Sequence, residues 1–111
     1  MKVAVVGSRG ITKFDLRKVM PEGVTAIVSG GAKGVDTLAE KYAKKHDLGI
    51  IVFRPRYDLY PPKLAPLKRN YTIVDNADAV IAIWDGVSRG TKFTMDYARK
   101  QGKLIHVEIV K

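Results

Sequence analysis

Short apolar runs recur along the chain, and between them the apolar positions spread out to helical spacing. The runs fall at about Lys2–Val6, Thr25–Ser29, Ile50–Arg54, Ala79–Trp84 and Leu104–Val110. They are continuously apolar rather than alternating, as expected of strands covered on both faces. After the second run, Val35, Leu38, Ala39, Tyr42 and Ala43 trace the stripe of a helix with one buried face, and Gly49 is a natural stop for it. A further helix is predicted from Pro66 to about Asn76, with Leu67, Tyr71 and Val74 inward. Another is predicted from near Thr91, with Phe93, Thr94, Tyr97 and Ala98 buried and Gly102 ending it. Ile11–Leu16 reads as the start of an earlier helix: Thr12 can cap it, Asp15 sits three residues on, and Ile11 can staple to Leu16. Met20-Pro21-Glu22-Gly23 ends that helix. Pro55, Pro61, Pro62 and Pro66 prevent a long helix before Pro66.

The predicted order is therefore β-α-β-α-β-α-β-α-β. Such alternation implies a parallel sheet with right-handed crossovers and helices on both faces. The expected fold is α/β: a Rossmann-like three-layer α/β/α arrangement around a five-stranded parallel sheet. No repeat, low-complexity stretch or long linker divides the sequence, so residues 1–111 are expected to form one domain. At 111 residues and 46% hydrophobic content, a single core is feasible without staples.

Composition narrows the partners. The chain has no cysteine, which excludes disulfides and thiol chemistry and fits the cytoplasm, the expected location. Its first residues read as a strand rather than a signal peptide, and no apolar run approaches the ~20 residues of a membrane span. Twenty Lys and Arg against eleven Asp and Glu give a formal charge of +9, which favours anionic partners such as nucleotides or nucleic acid. The basic residues are scattered, so an anion site must be assembled by folding.

Three glycine-containing loops supply that site. Each follows a predicted strand, and in open α/β sheets ligands bind at the carboxyl edge where such loops gather. Gly7-Ser8-Arg9-Gly10 lacks the remainder of a dinucleotide fingerprint and reads as a short anion loop, with Ser8 donating and Arg9 pairing to phosphate. Ser29-Gly30-Gly31-Ala32-Lys33-Gly34-Val35-Asp36 is not a Walker loop, because Lys33 precedes Gly34 and no Ser or Thr follows. Its paired glycines still let backbone amides face a ligand, and Asp36 can cap amides or hold a ribose hydroxyl. Asp85-Gly86-Val87-Ser88-Arg89-Gly90-Thr91 opens the last helix, with Thr91 as cap and the Ser88 and Gly90 amides free for an anion. Trp84 could stack on a base or pack in the core. Arg69 and Asn70, on the third helix, complete the candidate set. His46 and His106 lack metal-ligand spacing and a nucleophile partner, and read as structural.

These loops, in this order, resemble the SLOG superfamily. That Rossmann-like group includes the DNA-processing protein DprA and the Lonely Guy phosphoribohydrolases, and the chain is most similar to its small stand-alone YspA-like members. The resemblance rests on Gly7-Ser8-Arg9, on Val28–Asp36 with Leu38-Ala39, on Arg69-Asn70, and on Ser88-Arg89-Gly90-Thr91 with Ala98. It implies a nucleotide-derived ligand at the carboxyl edge and a homodimer. The phosphoribohydrolases carry P-G-G-x-G-T-x-x-E, and Thr94 occupies the position of that motif's catalytic Glu. Arg69 matches their second catalytic residue. The expected function is thus binding of a nucleotide or nucleotide-derived small molecule, as sensor or carrier. The alternatives are a nucleotide hydrolase and a single-stranded nucleic-acid-binding module.

Overall fold

Five parallel strands alternate with helical segments in the computed structural model, which describes Met1–Lys111. The strands are β1 (Lys2–Gly7), β2 (Ala26–Ser29), β3 (Gly49–Val52), β4 (Ala79–Trp84) and β5 (Leu104–Ile109). They pair in the spatial order β3-β2-β1-β4-β5, and every pairing is parallel. Three α-helices, α1 (Val35–Lys45), α2 (Ala65–Asp75) and α3 (Arg89–Lys100), make the last three crossovers. This is the Rossmann-like α/β architecture.

The strand order dictates which helix covers which face. From β1 the chain steps outward to β2 and β3, then crosses back to β4 and continues to β5. Right-handed crossovers in opposite directions put their helices on opposite faces. Side-chain parity agrees. Val3, Val5, Ile27, Ile81 and Ile83 pack with Val35, Ala39 and Ala43 of α1. Ala4, Val6, Val28, Val80 and Ala82 pack with Ile73 and Val74 of α2 and with Met95 and Ala98 of α3. Burial on both faces is why β1 and β4 are continuously apolar. The reversal of direction falls between β1 and β4, and their carboxyl ends flank a crevice.

Four local expectations are corrected. The segment after Gly10 forms no α-helix; only a 3₁₀ turn, Leu16–Lys18, appears. Asp15, not Thr12, caps it, because the carboxylate accepts from the Arg17 amide. With Gly10 on one side and Pro21 on the other, the stretch is too short to offset the cost of nucleating a helix. Ile11 and Leu16 are nonetheless buried against β1 and β4. Secondly, Gly49 does not stop α1. The helix ends in a Schellman arrangement with Asp47 at φ 55° and the Leu48 amide donating to Ala43 O. Gly49 instead opens β3, where a Cβ would press on Ala26. Thirdly, α3 begins at Arg89, so Thr91 lies inside its first turn and caps nothing. Fourthly, Leu67, Tyr71, Phe93 and Tyr97 are only half-buried; Tyr71 meets the Phe93 and Tyr97 rings edge-on between α2 and α3. No helix is long and apolar enough to cross a membrane.

One contact fixes the first loop. A Cβ at Gly7 would collide with the Ile83 carbonyl and the Val35 side chain, so β1, β4 and α1 converge on a bare backbone. Gly7→Ala is therefore expected to destabilise the fold by about 3 kcal/mol in denaturant unfolding. Gly10→Ala, whose Cβ meets nothing, should stay within about 0.5 kcal/mol of the parent.

Candidate functional site

A cleft of about 410 Å³ lies at the carboxyl ends of β1 and β4. Its wall brings together Gly7, Ser8, Arg9, Ala32, Asp36, Arg69, Asn70, Asp85, Ser88, Gly90 and Thr91 from the predicted set. Ser29, Gly30, Gly31 and Gly34 lie outside it, in supporting positions.

Arg69 is the central side chain. It is buried, only 9% exposed, and projects from the second turn of α2. Its Nη1 donates to the Gly30 carbonyl at 2.7 Å, and its Nε donates to Asn70 Oδ1 at 2.8 Å. No carboxylate forms a salt bridge with it. Burial pushes its pKa down, nearby Asp36 pulls it back up, and Arg9 pushes it down again. A buried guanidinium without a paired anion is costly by itself and well suited to receive one.

Gly30 explains how the arginine reaches that place. A Cβ there would stand 2.5 Å from Arg69 Nη1 and 3.0 Å from Asp36 Oδ2. Gly31, at φ 70°, turns the loop; its carbonyl accepts from Arg54 and its amide donates to Ser29 Oγ. Gly34 is the residue before α1, and a Cβ on it would strike the Ser8 and Arg9 backbone. Ser29 is buried, with its hydroxyl 3.5 Å from Glu40. The second loop thus supports the cleft mainly from behind. Only Ala32 and Asp36 face it, and Asp36 Oδ2 accepts from the Ala32 amide at 3.0 Å.

The third loop folds around Asp85. Its Oδ1 accepts from the Val87 and Ser88 amides at 2.9 and 2.7 Å, which hold the carboxyl below the usual range. The Asp85 amide donates to Ser8 Oγ, tying the first loop to the third across the crevice. The Ser88 amide is thereby occupied, contrary to the expectation that it is free for an anion. The open donors are one step further along. Arg89, Gly90 and Thr91 are the first residues of α3, and no side chain caps their amides. Ser88 Oγ and Thr91 Oγ1 bond to each other instead, at 3.2 Å. Arg9 is exposed at the rim, with no internal hydrogen bond among those its neighbours make. Trp84 is outside the cleft: its Nε1 donates to Ser88 O and its ring packs against the α2–α3 core. His46 lies on the Tyr42 ring and His106 beside Glu108, both remote from the cleft.

Gly10, Pro66, Leu67 and Thr94 also line the cleft, with the edges of Val6 and Ile73. Pro66 and Leu67 open α2 just ahead of Arg69, and Thr94 lies one turn beyond Gly90, so helix spacing could have found them. Val6 and Ile73 carry no polar signal that distinguishes them from ordinary core.

Fold and cleft together define a Rossmann-like domain in which an unpaired arginine and an uncapped helix amino terminus line one cleft. The chain belongs to the YspA, cpYpsA-related SLOG family, which it matches over residues 1–60. That match holds the first two loops and α1; Arg69 and the third loop lie beyond it. The X-ray structure of DNA processing protein A (DprA) from Streptococcus pneumoniae superposes with a TM-score of 0.75 at 26% identity. The similarity covers 95% of this chain but 49% of that one, so this chain spans about half its length. No curated protein matches the chain significantly.

Asp36 gives the cleft a titration. Burial is the largest influence and raises its pKa above the ordinary 3.8, outweighing the Ala32 amide and Arg69. A raised carboxyl favours the folded state while protonated, and that contribution is lost as pH rises through the raised value. Asp36→Asn removes the loss. The variant's Tm should match the parent's in acid and exceed it increasingly as pH rises from about 4, then run parallel above the raised pKa. Thermal melts across that range, comparing parent and variant, check the sign.

Proposed function

We propose that the cleft binds a phosphate-bearing, nucleotide-derived ligand without transforming it. The observation that carries this reading is the buried, unpaired Arg69 guanidinium opposite the free amides at the start of α3. Two kinds of donor converge there, one a full charge and the other the positive end of a helix dipole. Arg9 adds a second charge at the rim. The SLOG membership and the DprA-like fold are consistent with a nucleotide or nucleic-acid role. A homodimer and a cytoplasmic location belong to the same reading, with the exposed Tyr57, Leu59 and Leu64 available to a second copy.

The absence of turnover follows from Thr94. Its hydroxyl donates to Gly90 O at 2.9 Å, so it is a helix-bonded side chain at the place where the phosphoribohydrolases have Glu. Asp96 cannot replace it, since it is exposed and paired with Lys92 and Arg99. Asp85 is tied up by two amides. The hydrolase reading has one observation in its favour: Asp36, with its raised pKa, shares the cleft with Arg69. Incubation with nucleoside monophosphates should release no free base by chromatography. Release that Asp36→Asn and Arg69→Ala both abolish would establish the hydrolase instead.

Binding itself is tested by calorimetry on a panel of nucleoside monophosphates. Arg9→Ala, at an exposed position, should lower affinity about tenfold or more without changing Tm. Gly30→Ala displaces the far end of the Arg69 side chain and crowds the Asp36 carboxylate, both side-chain ends rather than backbone, so the fold should survive while the moved guanidinium costs a similar factor. Affinity should vary weakly with salt, because one phosphate is neutralised. A nucleic-acid-binding module would instead show steep salt dependence on oligonucleotides, with a log–log slope of roughly 0.7 per contact, and no response to any mononucleotide.

A further inference from the structure

A second cavity, of about 840 Å³, lies on the other side of Arg69. It is bounded by the end of β3, the Pro-rich segment and the outer face of α2, and Arg69 lines both cavities. Its lining differs in kind from the first. Phe53, Tyr60 and Tyr71 contribute aromatic rings, and Arg54 and Lys68 contribute charge. Neither cation has a carboxylate partner, and Lys68 Nζ stands 5.9 Å from the Tyr60 ring centroid. The one acidic side chain of this segment, Asp58, is held by Arg56 at 2.7 Å. The first cleft is polar and rich in backbone donors, so it suits phosphate; the second offers rings for stacking and cations for a further phosphate.

We infer that the two cavities together take a two-unit nucleotide, with the phosphate of one unit in the first cleft and the second unit stacked in the second. This inference rests on the binding reading above. Aromatic rings interleaved with basic side chains are the chemistry that holds an unpaired base and its phosphate. Arg69 stands between the two spaces and lines both, so a ligand that passes its guanidinium touches both, and the excess of unpaired cations matches a ligand with more than one phosphate. Two linkages supply such a ligand: a 3′–5′ phosphodiester or a pyrophosphate bridge.

The test compares AMP, the 5′-phosphorylated dinucleotide pApA, NAD and an eight-residue oligoadenylate by calorimetry at physiological salt. At least one of pApA and NAD should bind about tenfold or more tightly than AMP, and which one it is identifies the linkage. Tyr60→Ala and Lys68→Ala, both at exposed positions, should remove that gain and leave AMP affinity unchanged. Arg9→Ala should weaken all the nucleotides alike. AMP binding with no gain for either two-unit ligand would overturn the inference and leave the first-cleft reading standing. Binding of no nucleotide would overturn both. Affinity that keeps rising to the eight-residue strand would replace the two-unit ligand with a strand groove.

Discussion

The hydrogen bond from Arg69 to the Gly30 carbonyl joins a helix to the end of a strand thirty-nine positions away in sequence, and the cleft depends on it. It can form only because residue 30 has no Cβ. The bond uses one nitrogen of the guanidinium, and Asn70 uses a second. The guanidinium lines the crevice with its charge uncompensated by any salt bridge. The protein thus maintains a buried cation whose natural complement is an external anion. Holding a buried cation without an ion partner costs the fold stability, because its desolvation is not offset by a paired charge. The unpaired arrangement leaves the attraction available to a ligand.

Backbone convergence provides the frame around that charge. The Ser8 carbonyl accepts from the Ile11 and Val35 amides, and its hydroxyl accepts from Asp85. A single buried residue therefore ties β1, α1 and the loop after β4. Gly7 and Gly34 allow this by removing side-chain bulk where backbones meet. The loops that approach the ligand are held by hydrogen bonds to one another before any ligand arrives. Preorganisation of this kind reduces the ordering cost of binding.

Much of this was legible in the sequence because the physics is local. Continuous apolar strands, amphipathic α1 and glycine loops at strand ends are patterns within short windows, and they locate the sheet and the crevice. What failed depends on competition between local and tertiary interactions. The sequence pattern puts the cap on Thr12 with Asp15 three residues on, and only the fold decides that the segment needs a single 3₁₀ turn capped by Asp15. Asp47 replaced Gly49 at the end of α1 because Asp tolerates the left-handed region and Gly49 was needed beside Ala26. Within the site, the division of labour was not visible. Ser29, Gly31 and Gly34 carry the same residue types as the lining positions, yet they act from behind the wall. The second cavity had no signature of its own, since Phe53, Tyr60, Lys68 and Tyr71 meet only when β3, the Pro-rich segment and α2 are packed.

The central claim is that Arg69 and the first amides of α3 form one anion receptor. Proton–nitrogen correlation spectra recorded during titration with a nucleoside monophosphate test it residue by residue. The account predicts that the largest shifts fall together on the Gly90 and Thr91 amides and on the Arg69 side-chain Nε–H, with one common dissociation constant. Shifts spread over exposed lysines such as Lys41, Lys44 and Lys100, with those three signals unmoved, would contradict it.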